Sequence, residues 1–155
     1  MMNTFAVTLE INDDTITHKN MQSADALAIF TAMPWNEDWK KCSESDDEFG
    51  SFFSVSYKDE HNLEFTFETE LYIDDENKNH DLPMKFSLTY LHQEIIIKKV
   101  LFGLFGEKEE VISKKIFMDD QNMEFTLRCL YAFLQLDHTF LTNNMYENFG
   151  TDVNE

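Results

Sequence analysis

A chain of 155 residues with fifteen Phe, five Tyr and two Trp has the length and apolar content for one domain with a substantial core. Thirty acids against twelve bases give a net charge of −18, which argues against binding nucleic acid, where clustered Lys and Arg are needed, and against docking on anionic membranes. Four Gly and two Pro leave no material for a long linker or a low-complexity tail.

In chain order, residues 5–11 (FAVTLEI) alternate with apolar side chains at odd positions and predict a strand, followed by a turn at NDDT. Ser23 and Asp25 suit the start of a helix running to about 33, with Leu27, Phe30 and either Ile29 or Met33 facing inward and Pro34 as the stop. Residues 34–48 hold both tryptophans and six acids without a clean period, and predict an acidic loop with room for one short turn of helix. Alternation resumes through Phe53, Val55 and Tyr57, and DEHN turns the chain into LEFTFETELYIDDE at 63–76. There the odd positions Leu63, Phe65, Phe67, Leu71 and Ile73 are apolar, while Glu64, Glu68, Glu70 and Tyr72 take the even ones. Successive strand side chains point to opposite faces, so the acids share a wet face.

A further strand is expected through Met84, Phe86, Leu88 and Tyr90. Residues 94–105 and 111–118 then predict a hairpin turning near Glu107, with Lys99 roughly opposite Lys115. This segment is the cationic part of the chain, with five Lys against four Glu. The run from Asp119 to Phe140 predicts a long helix, capped by Asp119 or Asp120, with Met123, Leu127, Leu130 and Leu134 on one stripe widened by Tyr131 and Phe133. The tail after about 140 is poorly defined. The sum is a single α+β domain: a mostly antiparallel sheet of five or six strands, with a short helix in the N-terminal half and a long C-terminal helix on one face.

Motifs for catalysis are missing. There is no G-x-S-x-G, Walker A loop, H-E-x-x-H or G-x-G-x-x-G. His61 and His80 flank the acidic strand and lie too far apart to share a metal. A hairpin closing near residue 78 would bring His92 back beside Phe65, with His61, Glu64 and Glu94 nearby, but that spacing matches no established ligand pattern. Asp38-Trp39-Lys40 fits a fragment of some nuclease sites, and a net charge of −18 repels their substrate. Glu64, Glu68 and Glu70 have the spacing of an acid–base pair, yet a solvated face gives them ordinary acidity. Cys42, in an expected exposed loop, and Cys129, in the long helix, form no C-x-x-C and read as two free thiols of a reducing compartment. The reading is a non-enzyme with no cofactor and no metal.

The acids are patterned. Glu64, Glu68, Glu70, Asp74, Asp75 and Glu76 surround Tyr72, and Glu44, Asp46, Asp47 and Glu48 follow Trp39. Aromatic anchors among charges suit a protein interface, where charge sets on-rate and selectivity. The expected partner is a basic protein. The expected function is an acidic inhibitor, an immunity protein that neutralises a toxin domain such as a nuclease. A nucleic-acid mimic and a small secretion chaperone or adaptor are the alternatives, and a homodimer fits the cationic hairpin. The N-terminal residues lack a basic segment followed by an apolar run, and no apolar stretch reaches membrane-span length, so the cytoplasm is the expected location.

Overall fold

The computed structural model describes residues 3–44, 51–73, 83–149 and 151–154. In chain order these form β1 (Phe5–Ile11), β2 (Asp14–Met21), α1 (Ser23–Ala32), α2 (Trp35–Glu44), β3 (Phe52–Lys58), β4 (Glu64–Leu71), β5 (Phe86–Lys99), β6 (Glu107–Gln121), α3 (Met123–Leu134), α4 (His138–Phe149) and the short β7 (Thr151–Asn154). The strands make one antiparallel sheet in the order β2-β1-β3-β4-β5-β6-β7. The helices cover one face, so the protein is the two-layer α+β domain that the sequence predicts.

The alternation sets which face is covered. Val7, Phe53, Val55 and Phe67 are fully buried, as are Leu88 and Phe86 from β5. They meet Phe30 of α1, Trp35 of α2, Leu130 and Phe133 of α3, and Leu141 and Met145 of α4 in one core. Aromatic edges key the layers together: Phe30 stands edge-on to Phe53 at 5.1 Å between centroids, and Trp35 edge-on to Phe86 at 5.4 Å. The Trp35 indole N–H donates to the Phe30 carbonyl at 2.9 Å, so the buried donor is satisfied. Among the described residues, no helix covers the opposite face, which carries the even positions of β4.

Several local expectations change. The NDDT turn is present, with Asn12 and Asp13 both at positive φ (50° and 67°), which matches the two-residue turn of a tight hairpin. It leads into β2, a strand absent from the sequence reading because it is polar and lies exposed at the sheet edge. The expected loop at 34–48 contains a helix, α2, from Trp35 to Glu44. Its first turn carries Glu37 and Asp38 and its last turn Lys41, charges that suit the helix dipole. Cys42 is therefore buried rather than exposed in a loop.

The stretch read as two strands, 84–91 and 94–105, is instead one fourteen-residue strand, β5, ending at Lys99. The hairpin turn occupies residues 100–106, so Lys99 faces Glu107 and Lys115 faces Leu91. The like pair that does occur, Lys98 opposite Lys108, is relieved by Glu110, 2.6 Å from the Lys98 ammonium.

At the C-terminal end, Asp119 and Asp120 belong to β6, and the cap of α3 is Asn122, whose side chain accepts from the Phe125 amide at 2.8 Å. The expected long helix is broken between Leu134 and His138. Leu136 takes φ +61°, and the Asp137 carboxylate accepts from the Phe140 amide at 3.0 Å to start α4. The expected loose tail after 140 is thus helical as far as Phe149. Tyr131 is exposed rather than part of the buried stripe, while Phe133 is buried.

Candidate functional site

The uncovered face of the sheet is built from alternate positions of β1, β3, β4, β5 and β6. Cross-strand register places Thr8, Ser54, Glu68, Thr89 and Phe117 in one row. A second row runs Ser56, Thr66, Leu91 and Lys115, and a third Glu10, Phe52, Glu70 and Ser87. Glu64 and Glu70 are exposed at the two ends of β4, and Glu68 between them is half-buried among the hydroxyl side chains. Burial raises the Glu68 pKa above the ordinary carboxylate value, Glu70 adds to the rise, and Lys115 opposes it. This departs from the ordinary acidity expected of all three.

The same face changes character toward β5 and β6. Ile95 and Val111 are paired across the strands and both exposed, Ile97 is 64 % exposed, and Phe117 is exposed farther along β6, opposite Thr89. Beyond Ile97 the turn carries Leu101, Phe102, Leu104 and Phe105, all exposed, with the Phe102 side chain wholly in solvent. Leu101 and Phe102 are held at φ +50° and +56°, and Gly103 and Gly106 at +90° and +84°. Bulky side chains seldom adopt that region, so the turn presents its apolar groups from a disfavoured backbone. The other side of this arm is charged and internally paired, through Lys98–Glu110 and through Lys114–Glu94 at 2.9 Å. Glu64, beside Gln93, is the β4 carboxylate nearest this apolar patch, whereas Glu68 and Glu70 lie opposite Thr89 and Ser87 farther along β5.

Of the other expected site residues, Tyr72 is half-buried just past β4, where its backbone N–H donates to the Lys85 carbonyl at 2.8 Å. Trp39 lies on α2, packs partly against the core and lines a shallow groove with Pro83, Met84 and Met123. Glu44 is exposed at the end of α2. Asp74, Asp75, Glu76, Asp46, Asp47 and Glu48 lie outside the described residues. Trp39 and Glu44 thus stand on the helix layer, apart from the row on β4. Asp38, from the nuclease-like fragment, is buried and accepts a hydrogen bond from the Ser51 hydroxyl, and burial raises its pKa. That is an internal structural bond of α2 to the strand layer.

The expected return of β5 is realised: Phe65 faces His92. The four-residue cluster around it does not form, because Glu64 points to the open face while His92 points with Phe65 to the helix face. His61 is exposed in the turn beside Glu60. The apolar arm was missed by the sequence reading, although "VLFGLFG" between two charged runs marked an apolar turn.

No family model, curated protein or solved structure matches this chain.

Proposed function

We propose that this protein is an acidic protein-binding inhibitor that docks a basic partner on the uncovered face of its sheet, an immunity protein acting on a basic toxin domain such as a nuclease. One observation carries the reading: the exposed Glu64 at the end of β4 lies beside Gln93 of β5, next along the open face to exposed Ile95 and its exposed partner Val111. Exposed aliphatic side chains provide burial energy, and carboxylates steer a cationic surface toward them. The net charge of −18 extends that steering to the whole molecule.

The exposed arm favours a second reading, a chaperone or adaptor that holds an apolar segment of a client. Salt separates the two. Inhibitor binding slows steeply with ionic strength, whereas binding through the arm survives salt and weakens when Phe102 and Leu104 are made polar. Capture of the partner from the native cell, followed by association rates across a salt series, tests the proposal. A partner without a basic surface would overturn it.

A further inference from the structure

We propose that His92, Glu94 and His138 form a binding site for a divalent transition-metal ion of the zinc class. One donor atom from each residue lies within 4.8 Å of the other two. The set is assembled by the fold. His92 and Glu94, two apart on β5, point to the helix face, and the break after α3 delivers His138 as the first residue of α4. The His92 and His138 rings meet edge-on with centroids 4.7 Å apart.

A second observation points to a ligand. His92 is only 3 % exposed, and its Nδ1 has no hydrogen-bond partner. The nearest carboxylate oxygen, Oε1 of Glu94, lies 3.7 Å away, beyond hydrogen-bond range. A buried ring nitrogen left unpaired beside a carboxylate is costly in an apolar interior, and a cation between them would satisfy both. Around it stand groups that orient ligands. The Tyr90 hydroxyl and His138 Nδ1 lie 2.7 Å apart, fixing that ring and leaving its other nitrogen. Lys114 holds Oε2 of Glu94 at 2.9 Å, which leaves Oε1 toward His92.

Two imidazoles and a carboxylate are a donor set that zinc and its neighbours accept, with solvent completing the coordination. Donors around a tetrahedral zinc lie roughly 3.3 Å apart at the usual bond lengths of about 2.0–2.2 Å. The set therefore closes with about an ångström of side-chain movement. Hard cations such as Mg2+ prefer all-oxygen sites and are not expected to compete.

The test is calorimetric titration of Zn2+ into the chelator-stripped full chain, with Co2+ absorption reporting coordination. One saturable ion per chain is expected, with affinity at least tenfold weaker in Glu94→Gln and in His138→Gln. Asp14→Asn, exposed on β2 at the far edge of the sheet from His92, should bind as the parent does. If His138→Gln does not fold, Glu94→Gln decides alone, because Glu94 is partly exposed. Absence of saturable binding, or binding that survives Glu94→Gln unchanged, would overturn the site and leave only loose association with surface carboxylates.

Discussion

His92 shows how burial of one side chain writes a pH dependence into the fold. Its ring stacks on Tyr90 at 5.0 Å and faces His138, Glu94 and Lys114. Burial first, then His138, pushes its pKa down from 6.5 to about 4, with Glu94 opposing and Lys114 assisting. The unfolded chain therefore takes up a proton that the native chain refuses. Stability is complete above about pH 6.5 and falls as pH drops toward 4, by on the order of 3 kcal/mol for a shift of this size. Glu68 and Asp38, with raised pKa values, act in the opposite sense and gain stability on acidification. The His92 contribution is thus read as a difference. In urea denaturation with chelator present, His92→Phe should flatten the acid-side loss relative to the parent; parallel curves would refute the assignment. A simpler residue-scale expectation concerns Phe53, fully buried and edge-on to Phe30. Phe53→Ala should cost about 3–5 kcal/mol, seen as a lowered urea midpoint without a change in slope.

Among the elements, the β5–β6 hairpin stands apart, because its exposed end puts apolar groups into water on a strained turn. Phe102 and Leu104 make no core contact, so Phe102→Ser with Leu104→Ser should change folding stability by no more than ~0.5 kcal/mol. The same pair should weaken any partner that uses the arm, so a large stability loss in thermal denaturation would show that these side chains pack instead. Elements with a strong period were legible from sequence. FAVTLEI, SFFSVSY and LEFTFETEL bury one face and expose the other, and α1 stops ahead of Pro34, although its N-cap is Gln22 rather than Ser23 and makes no side-chain cap bond. The illegible ones have physical reasons. β2 buries too little to need apolar side chains, and α2 is short, with its core contacts limited to a few residues such as Trp35 and Cys42. The α3–α4 break rests on Leu136 at positive φ, which side-chain pattern does not announce. The acidic row of β4 was legible for the same reason as its strand. The His92–Glu94–His138 cluster was not, since it depends on that break.

For the whole molecule, the open face and the charge act together. Glu64, Glu68 and Glu70 are three of thirty acids, so removing them lowers the long-range attraction only partly and the local complementarity strongly. Sequence alone placed these acids on one wet face, and the structure adds the aliphatic patch beyond Glu64 and the half-burial of Glu68. The most direct test is the association rate constant of the captured partner, measured across a salt series for the parent and for Glu64→Gln/Glu68→Gln/Glu70→Gln. The account predicts a basic partner, a rate that falls steeply as ionic strength rises, and a several-fold slower association for the triple variant at low salt, with the two rates converging at high salt. A rate indifferent to salt and identical in parent and triple variant would contradict it.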